Sequence, residues 1–430
     1  MAAALYGFLA SYVLLFVGVP IYVGLAVTGF AGLVIISGWT PALATMAFSA
    51  QSSTMAYTLS VLPLFILMGN LVAGAGISGN LFKAAQMFIG RRRGGVAMGT
   101  VLACGGFGAI CGSSVATCAT MSRVAIPAMR SLGYKDRLTT ATLASGATLG
   151  ILIPPSIIMV IYGINTQTHI GKLFAAGLIP GVMAVLFYMA AIKWMMWRDP
   201  DAAPVAPAST WSEKLASLQG LWPVLGLFGL VMGGIYGGLF TVTEAAGIGA
   251  AGAFLFALTC KGLSMRQIVD IVADSALVTG MMIGIVFGAA VFVEFINLTG
   301  IHKVLEQLVL GNGWSPFWVI LAMIGIFFVA GALMEEVSMI LILVPIFFPI
   351  VIKLGYDPVW FGIIVTVACE IGLIAPPIGM NLFVVRSIAP DVSMRTILSG
   401  IVPFITVDLM RIALLAAFPA VVLWLPNLLF

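Results

Sequence analysis

Apolar positions in this chain gather into long unbroken runs, at 4–19, 21–38, 59–80, 95–130, 138–168, 176–197, 221–260, 276–298, 315–350, 358–389 and 397–425. Runs of this kind do not alternate as the strands of a barrel must, so they predict membrane-spanning helices. At about 20 residues per span, 430 residues allow on the order of a dozen crossings. One stretch reads as soluble: 198–218, with Arg198-Asp199-Pro200-Asp201 and a Pro/Ala/Ser run, predicts a cytoplasmic linker. It divides the chain into a first half, 1–197, and a second half, 219–430.

Composition points the same way. Hydrophobic residues make up 62% of the chain and charged residues 8%, against about 25% charged in soluble domains. So few charges cannot cover a surface facing water, and the lipid bilayer is the expected solvent. The first run has no basic segment before it and another follows at once, so it predicts a retained membrane segment and not a cleaved signal. The net charge, 19 − 15 = +4, gives no ground for a nucleic-acid partner. Five cysteines (Cys104, Cys111, Cys118, Cys260, Cys369) sit among apolar or small residues, and the first three recur every seven positions, as on one helix face. Neither His169 nor His302 is near them, so packing is expected and metal ligation is not.

The pattern also repeats. A shift of 376 − 154 = 222 positions lays Pro127 on Pro349, Leu132-Gly133-Tyr134 on Leu354-Gly355-Tyr356, Gly150 on Gly372, and Pro154-Pro155 on Pro376-Pro377. Seven identities in 29 ungapped positions, mostly Gly, Pro and Tyr, predict a duplication over about 60–181 and 283–404. Charge then orients the copies. Arg91-Arg92-Arg93 precedes the run 95–130 and Arg130, Lys135 and Arg137 follow it, which puts both of its ends on the cytoplasmic side. A run whose ends share a side must turn back, and Gly105-Gly106, Gly108 and Gly112-Ser113-Ser114 supply the turn of a re-entrant hairpin. The matching run, 315–350, lies between Gly311-Asn312-Gly313 and Gly355-Tyr356-Asp357 with Lys353 as its one close base, as expected of a hairpin entering from the opposite face. The expected fold is an all-α polytopic membrane protein of two inverted repeats, each with a re-entrant hairpin and a Pro-Pro-broken helix.

The breaks are where chemistry is expected. Proline removes a backbone donor and keeps the preceding residue out of the helical region. Carbonyls freed in hydrocarbon cost several kcal/mol each unless something satisfies them. Ile153-Pro154-Pro155-Ser156 and Ala375-Pro376-Pro377-Ile378-Gly379 are therefore candidate cation sites built from carbonyl oxygens, and the helix that restarts after each break turns a positive dipole end toward an anion. Gly112, Ser113, Ile153, Pro154, Glu335, Gly372, Ala375, Pro376 and Gly379 form the candidate cation-ligand set. Ser114, Thr117, Ser156 and Asn381 form the candidate substrate-binding set. Glu335-Glu336 falls where Ser113-Ser114 falls under the same shift, so the two tips differ in chemistry; an intramembrane carboxylate needs a cation or a proton. Glu244, Glu294, Glu370, Asp408 and Arg123 are further polar residues in apolar surroundings; structural roles are expected for Glu244 and Asp408, and snorkelling toward the cytoplasmic surface for Arg123. No Walker motif, dinucleotide fingerprint or nucleophile elbow is present, so an ATP-driven pump and an enzyme are disfavoured.

At these residues the chain resembles the large membrane subunit of tripartite ATP-independent periplasmic (TRAP) transporters. The stretches that carry the likeness are Gly112-Ser113-Ser114-Val115-Ala116, Ile126-Pro127-Ala128-Met129 with Gly133-Tyr134, Gly150-Ile151-Leu152-Ile153-Pro154-Pro155-Ser156, Thr243-Glu244-Ala245-Ala246, Pro345 with Pro349, and Ile371 through Phe383. The resemblance implies an elevator-type transporter with scaffold and transport domains in a bacterial inner membrane. It implies Na⁺-coupled import of an organic acid handed over by a periplasmic solute-binding protein, and a small four-helix membrane subunit as a separate chain. It also implies Na⁺ where hairpin tips meet broken helices. Glu335-Glu336 departs from the family's usual Asp followed by a small residue. A stand-alone anion/sodium symporter and an ion channel remain as alternatives.

Overall fold

In hydrocarbon a backbone has no water to bond, so the chain pairs its peptide groups within helices. The computed structural model describes residues 2–205, 210–259, 263–311 and 313–430; Cys260, Asn312 and part of the expected linker lie outside them. Its regular structure among the described residues is helical throughout. The first half runs α1 (Ala2–Phe16), α2 (Ile21–Ser37), α3 (Trp39–Met55), α4 (Val61–Gly74), α5 (Ile77–Ile89), α6 (Gly95–Cys111), α7 (Ser114–Ser131), α8 (Asp136–Leu152), α9 (Ile157–Thr166) and α10 (Ile170–Arg198). The second runs α11 (Trp211–Gln219), α12 (Trp222–Tyr236), α13 (Val242–Thr259), α14 (Met265–Leu298), α15 (Ile301–Gly311), α16 (Pro316–Leu333), α17 (Glu336–Lys353), α18 (Pro358–Ile374), α19 (Met380–Ile388), α20 (Met394–Ala417) and α21 (Pro419–Leu429). Among the described residues, eight helices are long and apolar enough to cross a membrane, or nine if the bent pair α11–α12 counts as one span.

Several sequence expectations need correction. The run 221–260 is two helices, separated by a turn in which Gly238 has φ +67°. The segment 39–55, outside every apolar run, is helix α3, and its serines 49 and 53 are buried. The expected linker carries regular contacts at both described ends. Its start is pinned to the first hairpin's base, where Lys135 donates a backbone bond to Ala202 (3.0 Å) and pairs with Asp199 (2.8 Å). Its far end forms α11, started by a capping box between Thr210 and Glu213. Cys118 does not share a helix with Cys104 and Cys111, because the hairpin turn falls between them; all three are buried and free.

The runs 95–130 and 315–350 each form two helices joined by a short turn, α6–α7 (17 and 18 residues) and α16–α17 (18 residues each). Gly112 (φ +65°) ends α6 in the left-handed conformation that glycine adopts without penalty. Its neighbour Ser113 caps α7 by accepting from the Ala116 amide (3.4 Å). In the second hairpin Glu335 caps α17, its Oε2 accepting from both the amide and the hydroxyl of Ser338 (3.1 Å each).

Contacts at the outer ends fix how the two units run. At the first hairpin's base, Arg130 pairs with Asp136 at the start of α8 (2.6 Å) and with Asp391 just beyond α19 (2.7 Å). At the second hairpin's base, Tyr162 of α9 donates to the Pro358 carbonyl at the start of α18 (2.7 Å). Thus α8 begins where α19 ends, and α18 begins where α9 ends.

Each hairpin crosses its broken helix at paired glycines, Gly108 with Gly150 and Gly331 with Gly372. A Cβ on Gly372 would lie 2.6 Å from the Gly331 Cα, and backbone cannot yield as a side chain can. Gly372→Ala should therefore cost about 1–3 kcal/mol through overpacking. Gly325→Ala, where no atom lies within 4 Å, should stay within about 0.5 kcal/mol. Thermal unfolding of the detergent-solubilised variants checks this, and equal shifts would contradict the crossing as described.

Candidate functional site

Each hairpin tip closes on the helix break of its own unit. The Ile157 amide, just past Pro154-Pro155, donates to the Gly112 carbonyl (3.4 Å), and the Ile378 amide, just past Pro376-Pro377, donates to the Ala332 carbonyl (3.3 Å). Both Pro-Pro bonds are cis. At the first break Ser156 adds a side-chain bridge: its hydroxyl donates to the Ile151 carbonyl (2.5 Å) and accepts from the Met159 amide (3.3 Å). The second break has no such bridge. Gly379 (φ +53°) stands there at the start of α19 without a capping side chain, and Pro376 and Pro377 are exposed whereas Pro154 and Pro155 are buried.

The sequence-predicted residues fall into two groups. Gly112, Ser113, Ser114, Thr117, Ile153, Pro154 and Ser156 surround the first junction. Glu335, Gly372, Ala375, Pro376 and Gly379 belong to the second. Asn381 crosses between them. It sits on the first turn of α19, yet its Nδ2 donates to the Ser114 hydroxyl (2.8 Å) and to the Ala144 carbonyl of α8 (3.0 Å). The Cys118 thiol donates back to the Asn381 carbonyl (3.6 Å). Helix α19 therefore packs on the first hairpin, while α9 packs on the second, with Tyr162 edge-on to Phe348 at 6.3 Å.

Ser114, Thr117, Ser156 and Asn381 are all fully buried. Three buried oxygens near the junctions have no hydrogen-bond partner: Thr117 Oγ1 and Asn381 Oδ1 at the first, and Glu336 Oε2 at the second. A buried acceptor left unpaired costs about 1–3 kcal/mol, more when charged. Oxygen donors of this kind suit a hard cation. Glu335, the residue singled out from sequence, instead spends one oxygen on its own helix cap. Glu336 is the deeply buried one. Adjacent glutamates look alike in a sequence; the turn that makes the first a cap and sends the second inward is a local backbone property.

Arg123 on α7 and Arg386 on α19 are exposed, and neither has an ion-pair partner among the described residues. Arg386 was not picked out from sequence, although its place five residues after Asn381 was a usable signal. A cavity of about 630 Å³ lies apart from the junctions, bounded by α3 and α14 on one side and α9 and α17 on the other, with Ser49, Ser53, Asn165 and Glu294 on its wall.

Residues 8–421 match the model of the family described as "Tripartite ATP-independent periplasmic transporter, DctM component". The C4-dicarboxylate TRAP transporter large permease protein DctM of Pseudomonas aeruginosa is 36% identical over 402 residues, covering 93% of this chain and 93% of that protein. The ectoine TRAP transporter large permease protein TeaC of Halomonas elongata is 32% identical, covering 97% of each. Among solved structures, the Alcanivorax borkumensis YdaH transporter is similar in fold, with TM-score 0.59 at 16% identity over 89% of this chain and 90% of that one.

The Asn381 bridge makes a direct prediction. Asn381→Leu removes two hydrogen bonds and strands the Ser114 hydroxyl and the Ala144 carbonyl, so stability in detergent should fall by about 1–3 kcal/mol. Ser387→Ala, which removes one exposed bond within α19, should change it by no more than about 0.5 kcal/mol. Unfolding curves of the two variants separate the cases.

Proposed function

We propose a transport cycle for this chain from the premise that it belongs to the DctM component family of tripartite ATP-independent periplasmic transporters. It is thus a multi-pass inner-membrane permease, not an enzyme, and it carries solutes by secondary transport; its family works with a small membrane subunit and a periplasmic binding protein. Our reading is that the solute is an anionic organic molecule and that Na⁺ moves with it. The observation that carries this reading is the set of buried, unpartnered oxygens at the two tip–break junctions. The residues present fit a hard monovalent cation: Thr117, Asn381 and the carbonyls around Gly112 and Ile153 at the first junction, Glu336 and the carbonyls around Ala375 and Gly379 at the second. A bound cation supplies positive charge in a low-dielectric region, which offsets the otherwise large cost of bringing an anion there.

Arg123 and Arg386 are our candidates for meeting the solute's negative charge. They are unpaired, exposed and carried by the two helices that Asn381 ties together at the first junction. Guanidinium groups bind carboxylates through paired, charge-assisted hydrogen bonds. The contacts at the hairpin bases support reading the units as inverted repeats, with the arginine-flanked first hairpin opening toward the cytoplasm. The cavity between α3/α14 and α9/α17 supports a boundary between a scaffold and a hairpin-bearing domain that slides along it in an elevator cycle. By analogy with the family, a binding protein delivers the solute and a separate small subunit braces the scaffold. The relatives named above carry a dicarboxylate in one case and ectoine in the other, so the solute itself has to be found by experiment.

Uptake into proteoliposomes holding this chain and its small subunit, with loaded binding protein outside, should require an inward Na⁺ gradient and collapse when K⁺ replaces Na⁺. Glu336→Gln should raise the Na⁺ concentration for half-maximal uptake about tenfold, equivalent to about 1.4 kcal/mol. Uptake indifferent to Na⁺ would overturn the reading.

A further inference from the structure

The cavity bounded by α3, α9, α14 and α17 holds about 630 Å³. That volume suits a small organic molecule, and such sites pair mostly apolar walls with a few polar groups that fix orientation. The wall here has that character. Phe48 of α3, Ile164 of α9, Val286 of α14 and Leu341 of α17 face it with apolar surface. Ser49 and Ser53 of α3, Asn165 of α9 and Glu294 of α14 are among its polar groups.

Charge decides what fits. Glu294 is the one charged group among the described residues that line the cavity. Helices α3 and α9 carry no charge at all. The other charges of α14 (Arg266, Asp270 and Asp274) sit near its start, the nearest of them 294 − 274 = 20 residues away, about 30 Å along the helix. On α17, Glu335 and Glu336 add no positive charge, and Lys353 is paired with Glu306. An anion would meet a carboxylate here with no base to offset it. Asn165 argues against a purely hydrocarbon occupant, because its Nδ2 is buried with no hydrogen-bond partner and an acyl chain would leave it so. Glu294 Oε2 accepts from Asn297 (3.3 Å), and a carboxylate has capacity for further donors. We propose that this cavity binds an organic cation: its ammonium group against Glu294, an oxygen acceptor toward Asn165, and its apolar body along the helix walls.

Such a site is separate from the one proposed for the anionic solute, and its position gives the occupant a role. A molecule that touches α3 and α14 on one side and α9 and α17 on the other ties the two pairs of helices together. On the elevator reading given above, it would hold the hairpin-bearing domain in place against the scaffold. That consequence rests on the elevator reading; the binding itself does not.

Three probes of one shape test the assignment: 4-phenoxybutylammonium, 4-phenoxybutan-1-ol and 4-phenoxybutanoate, which share a ring and an ether oxygen and differ in charge. Binding to the full-length chain in phosphatidylcholine nanodiscs is followed by saturation-transfer NMR, with empty nanodiscs subtracted to remove partition into lipid. The ammonium should saturate with a Kd about tenfold below that of the alcohol, and the carboxylate should show no binding above the empty discs. Glu294→Gln keeps an acceptor for Asn297 and should bring the ammonium to the alcohol's affinity while leaving the alcohol unchanged. Asn165→Leu should weaken ammonium and alcohol alike. Asp270→Asn, an exposed change far along α14, should alter none of the three. Equal binding of the three probes, no saturable binding of the ammonium, or an ammonium preference that survives Glu294→Gln would overturn the proposal. Transport is not the readout, so this site and the Na⁺-coupled cycle stand or fall separately.

Discussion

Eight helix ends meet inside this molecule: the inner ends of α6 and α7, α8 and α9, α16 and α17, and α18 and α19. Each end carries peptide groups with no partner in its own helix, and lipid offers none. The structure answers by turning the ends of each unit on one another. The amide that restarts a helix after the Pro-Pro break donates to a carbonyl of the hairpin tip, and glycines let hairpin and broken helix approach to backbone contact. Satisfying the backbone and building a polar pocket in the membrane are then the same event. What the tips leave unsatisfied, such as Thr117 Oγ1 and Glu336 Oε2, is what the proposed cation would bind.

The duplication does not make the junctions alike. The first is closed by side chains: Ser156 bridges its own break, Ser113 caps the returning helix, and Asn381 reaches over from the other unit. The second is held mainly by backbone, its two prolines are exposed, and its tip carries carboxyls in place of hydroxyls. The two junctions would therefore offer the proposed cation different surroundings, hydroxyl and amide oxygens at the first and carboxyls at the second.

Much of this was legible in the sequence for physical reasons. Proline pairs and glycine turns are local signals, and they mark the helix ends at Pro154-Pro155, Pro376-Pro377 and Gly112. Helix α3 was missed because Ser49, Gln51, Ser52, Ser53 and Thr54 interrupt its apolar pattern, although Ser49 and Ser53 are buried against the cavity bounded by α3 and α14. Pairings distant in sequence were out of reach altogether. Nothing near Asn381 announces Ser114, and nothing near Asp408 announces that Tyr188 and Glu370 close around it with Arg411. Helix ends are written in the chain; which ends meet is decided by packing.

Helix α14 has a consequence for the membrane itself. Its 34 residues make a rod of about 51 Å at 1.5 Å per residue, well beyond a hydrocarbon core of about 30 Å. Arg266, Asp270 and Asp274 are exposed at four-residue spacing near its start, so the first quarter of the rod belongs among headgroups and only the remainder among acyl chains. Tilting alone would not hide the excess, because even a 40° tilt leaves about 39 Å along the bilayer normal. A bilayer that thins or thickens must therefore slide along this helix or lean it, and α14 also forms one wall of the 630 Å³ cavity. Hydrophobic thickness thus becomes a variable that acts on the protein's shape, independent of any solute or ion.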